Sequence, residues 1–226
     1  MRDAGHGPVW AVRAAGYHTD MPDSTTLRAL ALVCSLKPSP AESSSALIAE
    51  HLFETLRTQD VECDAVRCAD FQIAPGVETD MGDGDQWPQL REKVLDADIL
   101  LISTPVWLGH PSSITQRVLE RLDAELSEND EQGRPQMAGK VAVVSVVGNE
   151  DGAHKTIADV FQALNDIGYT IPAQGGTYWN GAAMQSTDYK DLDEVPQAVA
   201  STTAAVARNA AHLARVLKKS EYPPYE

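Results

Sequence analysis

Residues 27–45 read LRALALVCSLKPSPAESSS, and the way this stretch divides decides the fold. Its first nine residues are apolar except for Arg28 and Ser35, and they form a short run bounded by turn residues, the pattern of a strand buried on both faces. The alanines and leucines would equally suit a helix, so the decision falls to the residues beyond them. Residues 43–59, SSSALIAEHLFETLRTQ, place Leu47, Ile48, Leu52, Phe53 and Leu56 at the spacing of an amphipathic helix. Between the two lies a loop with no glycine and no run of basic residues, but rich in serine and proline. Strand, hydroxyl-rich turn and helix make the first unit of an alternation.

The alternation continues along the chain. Residues 61–68, VECDAVRC, alternate as a strand does, and residues 69–86 form a loop rich in Gly, Asp and Pro. Residues 87–97 predict a helix, and residues 98–106, DILLISTPV, a strand closed by Pro105. Residues 112–126 predict a helix with Ile114, Val118, Leu122 and Leu126 four apart. Residues 139–150, GKVAVVSVVGNE, give the strongest strand, since they are Val- and Ala-rich and too few for a buried helix. A helix ending at Gly168, a short strand at residues 169–172 and a terminal helix opened by Pro196 complete the pattern. The expectation is an α/β, doubly wound domain over residues 26–226, its five-stranded parallel sheet covered by helices on both faces. Residues 1–25, with Trp10 and Tyr17 among Gly, Ala, His and Asp, read as an N-terminal arm outside that domain.

Composition narrows the partners. Eighteen basic residues against thirty-three acidic ones give a net charge of −15, which argues against nucleic acid and anionic membrane surfaces. No stretch approaches the roughly 18 apolar residues of a membrane span. The N-terminus lacks the apolar region of a signal peptide, so the expected location is cytoplasmic. Cys34, Cys63 and Cys68 form no CxxC pair and read as thiols in a reducing compartment. The histidines show no HxxxH pair, and Asp80, Asp83 and Asp85 do not follow calcium-loop spacing, so no metal is expected.

In such a sheet ligands bind beyond the carboxyl ends of the strands, near the point where strand order reverses. Three turns fall there. The first carries Ser35, Lys37, Ser39, Ser43, Ser44 and Ser45 into a helix N-terminus, where N–H groups and hydroxyls can hold a phosphate with Lys37 as the nearby cation. The plainer alternative is a single serine cap. The second, TPVWLG, offers Trp107 to a flat ring or packs it under the next helix. The third, GNEDG, brings amide and carboxylate groups suited to the polar edge of a heterocycle, although Asp151 also suits a helix cap. Neither GxGxxG nor GxxxxGK[ST] is present.

Taken together, the three turns resemble the flavodoxin-like NAD(P)H-dependent FMN reductase family over about residues 27–180. The resemblance rests on the serine-rich first loop, on TPVWLG followed by PSSITQRVLERLD, and on GNEDG. It implies strand order 2-1-3-4-5 and non-covalent FMN at the switch point. Ser35, Lys37, Ser43, Ser44 and Ser45 would then hold the phosphate. Thr104, Pro105, Val106, Trp107, Leu108 and Gly109 would contact the isoalloxazine, and Gly148, Asn149, Glu150, Asp151 and Gly152 its pyrimidine side. Where the family's first loop commonly begins Gly-Ser and carries an arginine, this chain has Cys34 and Lys37.

The implied activity is hydride transfer from NADPH or NADH to FMN and onward to a quinone, a flavin or another small organic acceptor, with no protein nucleophile. His110, His154 and Trp179 are the candidates for the substrate pocket, and a homodimer or homotetramer is the implied assembly. The competing expectations are a flavodoxin-type electron carrier, which suits the acidic charge, and a flavin-free α/β protein.

Overall fold

The computed structural model describes residues 26–182 and 185–225, so the expected arm lies outside the described residues. The apolar half of the opening stretch is strand β1 (Leu27–Val33), and the serine-rich loop delivers the chain to α1 (Ser44–Arg57). Tertiary burial resolves the helix–strand ambiguity. β1 pairs in parallel with β2 (Val61–Arg67) on one side and β3 (Ile99–Trp107) on the other.

The sheet runs β2-β1-β3-β5-β6, with β5 (Val141–Gly148) and β6 (Gly176–Asn180) parallel to the rest. A two-residue strand, β4 (His110–Pro111), folds back antiparallel on the end of β3. Counted as five parallel strands, this is the expected order, with its reversal between β1 and β3. The remaining helices are α2 (Trp87–Asp96), α3 (Ser113–Leu122), α4 (Ala153–Asp166) and α5 (Gln197–Lys219).

Successive residues of β1 feed opposite cores, as the pleat requires. Leu30, Leu32 and Cys34 pack with Leu90, Val94, Val118, Leu122, Val160 and Leu164 beneath α2, α3 and α4. Ala29, Ala31 and Val33 pack with Leu52, Phe53 and Leu56 of α1 and with the buried alanines of α5. Among the described residues, no helix is long and apolar enough to cross a membrane, and no group of three His, Cys, Asp or Glu is placed to hold a metal.

Three local expectations are corrected. The fifth parallel strand is Gly176–Asn180, not residues 169–172. Thr170 makes only an isolated bridge to Val141, and Pro172, having no N–H, cannot continue the ladder. The helix expected to reach residue 126 ends at Leu122 and tightens into a 3-10 turn, Asp123–Ser127. That turn points Leu126 outward, 55% exposed, and buries the Glu125 carboxylate against Arg91 at 2.6 Å. Asp85, in the Gly-, Asp- and Pro-rich loop where a solvated turn is the plain expectation from its composition, instead has a fully buried side chain paired with Arg121 at 2.7 Å.

Candidate functional site

At the carboxyl ends of β1, β3 and β5 lies a cavity of about 550 Å³, within the range of roughly 300–1,000 Å³ usual for small-molecule sites. The serine-rich loop supplies Ser35, Leu36, Lys37, Glu42, Ser43, Ser44 and Ser45 to one side. Pro105, Val106 and Trp107 form an apolar wall, and Val147, Gly148, Asn149 and Glu150 form the far end. Trp179, Asp188, Tyr189 and Lys190 close the circle.

A layer of buried hydroxyls positions these loops. Ser145 Oγ donates to Ser103 Oγ at 2.8 Å, and Ser103 Oγ donates to the carbonyl of Ser45 at 2.6 Å, tying the start of α1 to the sheet centre. Ser112 Oγ donates to the carbonyl of Cys34 at 2.6 Å and also caps α3 by accepting from the Thr115 N–H at 3.1 Å. These hydroxyls sit where the strands meet the loops, so each buried carbonyl they meet has a hydrogen-bond donor.

The serines of the opening loop divide their work. Ser43 is the N-cap of α1, accepting from the Ala46 N–H at 3.2 Å. Ser44 Oγ accepts from the Lys190 N–H at 3.2 Å. Ser39 faces away from the cavity and binds Asp70 through its hydroxyl at 2.7 Å and its N–H at 2.6 Å. Those two bonds, the hydroxyl's first, hold the Asp70 carboxyl below its ordinary range. Arg67 donates to the carbonyls of Pro38 and Ala41, so the loop is anchored from below by β2.

The far end carries polar atoms with unmet demand. Asn149 Oδ1 and Glu150 Oε1 are buried with no hydrogen-bond partner among the described residues, and both residues line the cavity. An unpartnered buried acceptor is costly, so these two oxygens suit a ligand that brings an N–H donor. The Asn149 amide group donates to Asp188 Oδ1 at 2.8 Å, which leaves its oxygen directed elsewhere.

The other sequence candidates lie around this cavity rather than in its lining. Thr104 is fully buried and accepts from Thr115 Oγ1 at 2.7 Å, beneath the floor. Leu108 and Gly109 form the tip of the β3–β4 hairpin, with φ of +52° and +74°, and Leu108 is 88% exposed at the rim. Asp151 does not cap α4. That position belongs to Gly152, whose N–H donates to Asp151 Oδ1 at 2.7 Å.

Of the candidates for a substrate pocket, Trp179 lines the cavity. His110 binds Lys155 Nζ at 3.2 Å, and His154 meets the Tyr178 ring edge-on at 4.9 Å; both are outside the lining. Sequence reasoning missed Asp188, Tyr189 and Lys190. They sit on a 3-10 turn, Tyr189–Asp191, and the residue before it, within an irregular segment whose spacing carries no period. The only signal was an aromatic and a lysine beside three acids, in a stretch that otherwise reads as loop.

Residues 27–185 match the family described as NADPH-dependent FMN reductase. The chain is 30% identical over 206 residues to 8-demethyl-8-aminoriboflavin-5'-phosphate synthase of Streptomyces davaonensis, covering 87% of this chain and 80% of that protein. A crystal structure of RosB with a bound intermediate, 8-demethyl-8-formylriboflavin-5'-phosphate, superposes with a TM-score of 0.79 at 30% identity, covering 87% of this chain and 82% of that one. The chain is also 38% identical over 169 residues to a divalent metal cation transporter, MntH, of Mycobacterium bovis. That match covers 73% of this chain but spans only a quarter (25%) of the transporter's length. An NADH:FMN oxidoreductase, EmoB, shares the fold at a TM-score of 0.61 and 17% identity, covering 88% of this chain and 96% of that one. With most of its length matched by the family and a 30% identical relative covered over 80% of its own length, the chain belongs to the NADPH-dependent FMN reductase family.

Proposed function

We propose that the protein is an FMN-dependent oxidoreductase that takes hydride from NADPH or NADH and passes electrons to a quinone, a flavin or another small organic acceptor. The observation that carries this reading is the polarity gradient of the cavity. Serine hydroxyls, helix-start N–H groups and lysines stand at one end, an apolar wall in the middle, and unpartnered buried acceptors at the other. FMN has the matching order of parts: a phosphate, a flat apolar ring and a pyrimidine edge with one N–H between two carbonyls.

In this reading Ser35, Ser43, Ser44, Ser45 and Lys37 hold the phosphate. Pro105, Val106 and Trp107 lie along the ring, while Asn149 Oδ1 and Glu150 Oε1 compete for the pyrimidine N–H. Bound FMN supplies the hydride and electron chemistry, and the chain supplies placement, water exclusion and charge. Trp107, 55% exposed at the mouth, leaves one face of the cavity open to a nicotinamide and then to an acceptor. The exposed apolar side chains around that mouth, Leu36, Trp107 and Leu108, suit the implied homo-oligomer.

The test is anaerobic addition of NADPH, then NADH, to protein loaded with FMN. The expected result is loss of the flavin's visible absorbance with at least one nicotinamide, restored by a quinone. Unchanged absorbance with both would overturn the reductase reading.

A second reading is favoured by the match to the flavin-phosphate synthase, which at a TM-score of 0.79 exceeds the 0.61 of the reductase structure. Here a flavin 5'-phosphate enters the same cavity as substrate and leaves with its ring altered. Mass spectrometry of the flavin recovered after turnover separates the two: an unchanged mass supports the reductase, an altered mass the synthase-like reaction.

A further inference from the structure

We infer that Lys190 is the cation that makes the cavity select a phosphomonoester, so that FMN is preferred over riboflavin; this rests on the cavity being a flavin site. Lys190 stands 146 positions from Ser44 in sequence, yet its N–H donates to Ser44 Oγ at 3.2 Å, fixing its backbone against the first turn of α1. Two further bonds hold the same turn. Tyr189 OH pairs with His51 Nδ1 of α1 at 2.8 Å, and Asp188 Oδ1 accepts from the Asn149 amide at 2.8 Å. The turn therefore spans the cavity from its serine end to its amide end, and Lys190 lands at the serine end.

Positive charge is scarce around that end. A phosphomonoester brings about −1.5 to −2 charges at neutral pH into a chain whose net charge is already −15. The serine hydroxyls and helix N–H groups offer hydrogen bonds but no full positive charge. Among the described residues, the lysines that line the cavity are Lys37 and Lys190, while Arg67 is engaged with the Pro38 and Ala41 carbonyls outside the lining. Lys37 lies on the exposed part of the loop, whereas the Lys190 side chain is only 26% exposed on a pinned backbone.

Its ammonium now meets Asp191 at 2.6 Å and Glu42 at 3.7 Å, carboxylates that are 49% and 85% exposed. Pairs so open to water contribute little, so a phosphate can share the ammonium at small cost. A charge-assisted bond from a pre-positioned ammonium is the stronger interaction.

The experiment compares the affinities of FMN and riboflavin by quenching of flavin fluorescence, in the wild type, Lys190→Gln, Lys190→Arg and Lys37→Gln. The expected result is that Lys190→Gln weakens FMN about tenfold, the scale of one charge-assisted hydrogen bond, with riboflavin unchanged and FMN affinity kept by Lys190→Arg. Equal weakening of both flavins would reduce Lys190 to a wall of the cavity and overturn the inference. So would loss of the FMN preference in Lys37→Gln alone, with Lys190→Gln like the wild type. A wild type that binds neither flavin would instead overturn the reading of the cavity itself.

Discussion

Arg121 is buried to its guanidinium, and the Asp85 carboxylate it meets at 2.7 Å is buried with it. The same guanidinium donates to the carbonyls of Glu78 at 2.8 Å and Ala74 at 3.1 Å, and it lies over the Trp87 ring at 5.6 Å. One α3 side chain thus fastens the 71–86 loop at Ala74, Glu78 and Asp85. Burial pushes the Asp85 carboxyl up, but N–H bonds from Met81, Ala74 and Trp87 together with Arg121 outweigh it and hold the group at about 2. A carboxyl depressed on folding stabilises the fold above its unfolded value near 4 and loses that contribution as pH falls towards 2. The expected acid loss is therefore about 2 kcal/mol between roughly pH 4 and pH 2. Urea unfolding across that window measures it, and Asp85→Asn should flatten the slope there. Arg121→Ala leaves a buried carboxylate unpaired and is expected to cost about 3–5 kcal/mol, read as a lower urea midpoint. Nothing in the composition of residues 80–85, DMGDGD, foretold this, because burial of one acid depends on an arginine 36 positions away.

At the scale of elements, the site depends on two loops touching. A Cβ built on Gly152 would lie 2.7 Å from the Gly109 Cα, so the β5–α4 loop rests directly on the β3–β4 hairpin, and Gly152 has φ of +124°. Gly152→Ala is expected to cost about 1–3 kcal/mol through strain and collision together, and to weaken FMN because Asn149 and Glu150 ride on the same loop. Gly84→Ala is the control: its φ is +84° with nothing within 4 Å of the added atom, so it should show the strain alone, about 1 kcal/mol. Urea melts and flavin titrations of the two variants separate collision from strain.

The elements themselves were largely legible. The Val- and Ala-rich run of β5 and the spacing of Leu52, Phe53 and Leu56 in α1 follow from local period alone. The edge strand lies elsewhere than expected because residues 169–172 and Gly176–Asn180 are both short; the missing N–H of Pro172 stops the first, and the register of Gly176–Asn180 along Val144–Gly148 selects the second. The three cavity loops were legible from strand order, whereas the Tyr189–Asp191 turn was not, since its place is set by bonds to Ser44, His51 and Asn149 that no local pattern encodes.

Across the whole molecule, two cores back one sheet, and both must separate for β1 to be exposed. Cys34 closes β1 directly beneath the serine-rich loop and is fully buried, and Cys68, at the end of β2, is 1% exposed. The neighbouring Cys34 thiol, and then burial, push the Cys68 thiol far above its ordinary value, while burial raises the half-buried Cys63 to about 11. A thiolate is the reacting species, so burial or a raised pKa mutes each sulfur in the folded chain. The protein consequently contains a built-in clock for its own opening. A thiol-specific reagent at neutral pH should modify the native protein slowly and the urea-unfolded protein at all three positions at once. Modification of Cys34, followed by peptide mass, then reports how often β1 is uncovered. FMN should lengthen that interval, whereas a ligand bound elsewhere than the cavity above Cys34 would leave the ratio of Cys34 to Cys63 labelling unchanged.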